Sequence, residues 1–192
     1  PSTAPGVGPA WEKTGVPVPG AARKGEDTMQ EHGLKISELV TLFNLEVLNR
    51  GSDYDTALLT ITDVNRPGLQ FHSFYDYFDP RRLQVLGKAE ITYLKGLTTE
   101  QRRKCFDDLF LYDIPALVIS RGLDCFPECL ESARVHERTL LRTEETTVEF
   151  TSHTIEYLNR VLAPCVTRHG VLLDISGEGV MITGDSGIGK SE

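Results

Sequence analysis

An α/β fold is predicted: an N-terminal α/β domain, then the opening of a phosphate-loop domain that starts with a β-hairpin. Three observations predict it. Short apolar or β-branched runs alternate with helix-period segments over about residues 30–162. Ala163-Pro164 then breaks the last helix, and two apolar strands follow within residues 163–192. A glycine-rich loop ending in Lys190-Ser191 stands directly after the second of them.

Residues 1–28 are rich in Pro, Gly and Ala and carry no period, so a disordered leader is expected. Met29 is a candidate start of the native chain, the alternative being a natural flexible leader. From Leu34 onward Ile36, Leu39, Val40 and Phe43 recur at helical spacing, and residues 45–48 follow as a short strand. The β-branched residues 60–63 predict another strand, closed by the turn Asn65-Arg66-Pro67-Gly68. Residues 83–86 predict a third. Helices are expected over 90–97 and 99–111, the second capped by Thr98 or Thr99. Residues 114–120 form a buried strand in this pattern, followed by a helix over 127–137, a strand over 139–141 and a helix over 146–162. Residues 166–175 and 179–183 are two strands, with Ser176-Gly177-Glu178 as the hairpin loop.

Composition narrows the function classes. With 192 residues and 40% hydrophobic content the chain can bury ordinary cores. A net charge of −8 argues against nucleic acid as a partner, because binding its backbone requires basic patches. No apolar run approaches the roughly 18 residues of a membrane span, so a cytoplasmic location is expected. Arg81-Arg82 and Arg102-Arg103-Lys104 are expected on solvated surface. Cys105, Cys125, Cys129 and Cys165 are irregularly spaced and are expected as reduced thiols; no second Cys/His pair gives Cys125 and Cys129 a zinc-like partner set. His32, His72, His136 and His153 lack ligand spacing and are expected at the surface, whereas the aromatic run 71–78 is expected in the core.

The sharpest signal is Gly184-Asp185-Ser186-Gly187-Ile188-Gly189-Lys190-Ser191, which fits G-x-x-x-x-G-K-[ST] directly after a predicted strand. Glycines there let backbone N–H groups turn inward around phosphate oxygens. Lys190 suits the β- and γ-phosphates of ATP, and the Ser191 hydroxyl suits Mg²⁺. The strand feeding this loop follows its neighbour through a tight hairpin, unlike the parallel arrangement of the common doubly wound nucleotide-binding folds.

Hairpin and loop together, from His169-Gly170-Val171-Leu172-Leu173-Asp174 through Gly179-Val180-Met181-Ile182-Thr183-Gly184, resemble the start of the catalytic domain of the HPr kinase/phosphorylase family. Asn65-Arg66-Pro67-Gly68-Leu69-Gln70, Phe74-Tyr75-Asp76-Tyr77-Phe78-Asp79-Pro80 and Leu86-Gly87-Lys88-Ala89-Glu90-Ile91-Thr92-Tyr93-Leu94 resemble that family's N-terminal half. The resemblance covers residues 34–192. It implies ATP- and Mg²⁺-dependent phosphorylation of a seryl hydroxyl on HPr, the small carrier of the bacterial sugar phosphotransferase system, in control of carbon metabolism. It also implies the reverse, attack of inorganic phosphate on phosphoserine-HPr to give pyrophosphate. His169 and Lys190 carry over as active-site residues, Gly184, Asp185, Ser186, Gly187, Ile188, Gly189, Lys190 and Ser191 as nucleotide contacts, and Ser191 as the Mg²⁺ ligand. A homohexamer is implied for the whole enzyme. The family's proton-accepting aspartate and a further acidic Mg²⁺ ligand come after Ser191, so the chain by itself is expected to be inactive. Two other readings remain open on the residues alone: a different phosphate-loop kinase or NTPase, and a non-catalytic regulatory or assembly module.

Overall fold

The computed structural model describes residues 33–164, 170–175 and 178–183. The chain divides into two compact units, Pro1–Leu162 and Ala163–Glu192. In the first, strand β1 (Leu34–Lys35) runs straight into helix α1 (Ile36–Leu42). Strands β2 (Glu46–Asn49), β3 (Leu58–Leu59), β4 (Val64–Asn65) and β5 (Leu83–Leu86) follow. Helices α2 (Lys88–Lys95) and α3 (Thr99–Phe110) lead to β6 (Leu117–Ile119), and α4 (Pro127–Val135) leads to β7 (Leu140–Arg142) and α5 (Thr147–Val161).

Five of these strands form one sheet in the order β2-β7-β6-β5-β4, and β1 pairs separately with β3. β4 through β7 run parallel, each beside its successor in the chain, while β2 closes the edge antiparallel to β7. Alternation along the strands divides the core in two. Leu83, Val85, Ala116, Val118 and Leu141 face α1 and α5, where the Phe43 ring meets Phe150 edge-on at 5.8 Å. Leu86, Leu117, Ile119 and Leu140 face α2, α3 and α4, with Phe106 and Phe110 at the centre. Each side chain of this kind that is fully buried contributes roughly 1.5–3 kcal/mol.

The helices begin where their caps dictate. Thr98 Oγ1 accepts from Gln101 N–H and Thr146 Oγ1 from Glu149 N–H, and in both cases the third helical residue reaches back to the cap. α2 starts at Lys88, two residues before the predicted start, because Glu90 Oε2 accepts from the Gly87 N–H at 2.9 Å. The strand expected over 60–63 is not formed: pairing occurs on either side, at Leu58–Leu59 and Val64–Asn65. Thr60, Ile61 and Thr62 instead line an open groove with Arg81 and Arg82. The aromatic run is only partly core. Phe71 is buried, but Phe74 is 45% and Tyr77 100% exposed. A 3₁₀ turn at Gln70–His72 and left-handed backbone at Ser73 (φ 60) and Tyr77 (φ 62) rotate successive rings outward.

Gly51 marks a close backbone crossing in this unit. A Cβ there would lie 2.5 Å from Glu137 O and 2.7 Å from Thr139 N, both backbone atoms, whereas one on Gly68 would meet nothing. Gly51→Ala is therefore expected to cost about 1–3 kcal/mol in urea unfolding, and Gly68→Ala no more than about 0.5 kcal/mol. Equal midpoints for the two variants would show that the segment yields without cost.

Candidate functional site

The second unit presents strand β8 (Gly170–Ile175) antiparallel to β9 (Glu178–Thr183). Glu178 pairs with Ile175, so Glu178 belongs to the strand rather than the loop. At the other end Gly170 pairs with Thr183. The ladder runs through Val171↔Ile182, Leu172↔Met181 and Leu173↔Val180, so apolar side chains stand on both faces. Leu172 is 74% and Met181 51% exposed. The site residues expected from the sequence all lie outside the described residues: His169, and Gly184, Asp185, Ser186, Gly187, Ile188, Gly189, Lys190 and Ser191.

In the first unit, the carboxyl ends of the parallel strands gather a polar junction that the separate sequence blocks did not announce. Arg66 follows β4, Gly87 follows β5 and Ser120 follows β6. Arg66 Nη2 donates to Glu90 Oε2 at 2.9 Å, and the Ser120 hydroxyl lies 2.7 Å from Thr147 Oγ1 while donating to Leu86 O. A Cβ on Gly87 would sit 2.6 Å from Thr147 Oγ1. These bonds tie α2 and α5 to the strand ends, and Arg66 together with Lys88 and Arg121, the residues next to Gly87 and Ser120 in sequence, is exposed. Among the described residues no group of three or more His, Cys, Asp or Glu could hold a metal ion.

Arg102 departs from the expected solvated surface. Its side chain is only 17% exposed, and it donates through Nη2 to Glu128 Oε1 at 2.7 Å and through Nη1 to Leu97 O at 2.7 Å. Its guanidinium also lies over the Phe126 ring, 5.1 Å from the centroid and inside the roughly 6 Å within which a cation is attracted to a ring face. Glu128, at the start of α4, is buried, so the pair clamps α3 to α4 through a desolvated charge contact. The Arg102 guanidinium holds the Glu128 carboxyl below its ordinary value. Arg81, Arg103 and Lys104 do lie at the surface, each paired with an acidic neighbour.

Comparison with known proteins decides the family. The model for the HPr Serine kinase N terminus matches residues 34–158, and that for the HPr Serine kinase C-terminal domain matches residues 160–192. The chain belongs to the HPr serine kinase family. Its first unit is the family's N-terminal α/β domain, and residues 160–192 match the family's C-terminal domain. It is 45% identical over 159 residues to the HPr kinase/phosphorylase of Alkaliphilus metalliredigens, covering 83% of this chain and 51% of that one. Similar proteins of the same description occur in Clostridium perfringens (43% over 160 residues, 83% of this chain and 52% of the relative) and Clostridium beijerinckii (44%, with the same coverage). The chain thus spans about half the length of the curated relatives it matches. A solved structure of the CBS and DRTGG domains of the Clostridium perfringens pyrophosphatase regulatory region superimposes with a TM-score of 0.46 at 15% identity, covering 67% of this chain and 48% of that one, too low to assign a shared fold.

Proposed function

We propose that this chain is part of a bifunctional enzyme that moves a phosphoryl group onto, and off, a seryl hydroxyl of HPr. In the forward direction the seryl oxygen attacks the γ-phosphorus of ATP, its proton passes to a base, and ADP leaves. In reverse, inorganic phosphate attacks the phosphoserine phosphorus, the serine hydroxyl is restored and pyrophosphate departs. Both directions handle the same phosphoryl group, so one cradle serves both.

The observation that carries this reading is the sequence Gly184-Asp185-Ser186-Gly187-Ile188-Gly189-Lys190-Ser191, attached to the end of a hairpin strand in a chain of this family. Backbone N–H groups of such a loop hold phosphate oxygens, and Lys190 supplies a point charge to the β- and γ-phosphates. The Ser191 hydroxyl is a hard oxygen donor of the kind Mg²⁺ takes, and the ion, when bound, neutralises charge on the phosphate oxygens. The hairpin register supports His169 as a companion, since Gly170 and Thr183 are paired and are the sequence neighbours of His169 and Gly184. His169 would orient the transferred group or offset its charge. The apolar residues on both faces of β8 and β9 are those of strands that a larger sheet buries on both sides. A cytoplasmic enzyme assembled as a homohexamer completes the proposal; among the described residues no helix is long and apolar enough to cross a membrane.

The test uses a protein carrying the full catalytic half. With γ-labelled ATP and Mg²⁺ it is expected to label HPr at one serine, and with phosphate it is expected to release pyrophosphate from phosphoserine-HPr. ATP hydrolysis without label on HPr would instead favour a different phosphate-loop NTPase.

A further inference from the structure

An open pocket of about 180 Å³ lies between the 3₁₀ turn, the end of α2 and one side of α3, and nothing in the proposed phosphoryl transfer uses it. Gln101, Lys104, Cys105 and Asp108 line it from α3, their spacing of three and four residues placing them on one face of that helix. Tyr93 and Leu97 line it from α2 and its end, and Phe71 adds a buried apolar surface beneath. The volume suits a single six-membered ring, since a cavity of roughly 150 Å³ accepts benzene.

The lining mixes apolar and polar groups without net charge. Lys104 Nζ lies 2.5 Å from Asp108 Oδ2, so the one cation of the pocket is already neutralised by the one anion. Gln70, Ser73 and Gln101 supply neutral polar groups. Several of these side chains are held in place by bonds within the protein. Gln101 Oε1 accepts from the Thr98 N–H at 3.0 Å, which commits one end of its amide to the helix cap and leaves the Nε2 end for a ligand. Gln70 Nε2 donates to Phe74 O at 3.2 Å. The Tyr93 ring is fixed by His72, with centroids 4.5 Å apart and the hydroxyl 3.3 Å from Nδ1. Groups fixed in this way give up little freedom when a ligand arrives.

We propose that this pocket binds a neutral monosaccharide in its six-membered ring form. Such a ring is apolar on its C–H faces, which suit Tyr93 and Leu97. Its rim carries hydroxyls that both donate and accept, which suit the Gln101 amide, the Ser73 hydroxyl and the two ends of the Lys104–Asp108 pair. A hydrocarbon ring would bury those polar groups without partners, at a cost. An anion would meet a lysine already paired, with a carboxylate beside it. All the lining residues belong to the first unit, so the assignment stands or falls apart from the phosphoryl-transfer reading.

To test this, the isotope-labelled chain is titrated with D-glucose, D-galactose and D-mannose, and the Gln101 side-chain amide is followed by NMR, its resonance identified by its absence in Gln101→Ala. At least one of the three sugars is expected to shift that resonance saturably, in the millimolar range. Gln101→Ala, followed at the Ser73 amide, and Tyr93→Leu are each expected to weaken binding about tenfold. Should a variant fail to fold, the wild-type shifts decide, being expected at Ser73, Tyr93 and Gln101 and not in α5. Three outcomes would overturn the proposal: no saturable shift with any of the sugars, affinity unchanged in both variants, or glucose phosphate binding about tenfold tighter than glucose, the mark of an anion site.

Discussion

Replacing Lys190 with alanine, in a protein carrying the full catalytic half, is expected to lower both phosphorylation of HPr and phosphorolysis of phosphoserine-HPr by about a thousandfold. The proposed role is a positive charge on phosphate oxygens, and charge develops on those oxygens in the transition state of either direction. A group that served only ground-state binding would raise KM and leave kcat in place, whereas loss of transition-state contacts lowers kcat itself. Kinase activity is measured by phosphate transfer to HPr, and the reverse by release of pyrophosphate. Near wild-type turnover in either direction would remove Lys190 from the shared site.

The second large effect is expected far from that loop, at the clamp between α3 and α4. Arg102→Ala leaves Glu128 buried without its partner, a loss of about 3 kcal/mol in stability. The double replacement of Arg102 by Met and Glu128 by Leu is expected to recover most of it, because paired charges removed together leave no orphan. A pH signature separates charge from packing. Glu128 has a lower carboxyl pKa in the folded chain than its ordinary value of 4.5, so the unfolded chain binds the proton more readily. The stability this provides is complete above that value and is lost as pH falls through the lower, folded one. Glu128→Gln is expected to flatten this part of the acid-unfolding curve. An unchanged curve would mean that the clamp acts through packing alone.

Legibility in the sequence followed the length and chemistry of each element. α3 and α5 were legible because a threonine cap and a long apolar face agree, and buried β5 and β6 because their residues are almost wholly apolar. The two-residue strands β1, β3 and β4 were not, since so short a pairing has no period to detect. Thr60 and Thr62 misdirect for a related reason: β-branching suits a strand, but these residues line a groove instead of pairing. Arg102 was misplaced because local sequence shows a basic triplet and cannot show Glu128, which approaches from a different helix. The phosphate loop is the opposite case. Its chemistry is local, so eight consecutive residues suffice to suggest it, while the groups that complete a reaction are brought together only by the fold.

The sheet's two borders bear on how copies of the chain behave toward one another. An exposed, long strand border offers unpaired backbone groups to a neighbour and can seed cross-molecular ladders. Here β4 offers only two residues, and β2 is interrupted by a register shift between Val47 and Asn49. Such irregular borders make poor templates for self-association. The β8–β9 hairpin has the opposite character, with regular six-residue strands and oily surfaces on both sides. Among the described residues, the strands with the length, regularity and apolarity to template cross-molecular pairing are therefore β8 and β9, not the borders of the five-stranded sheet.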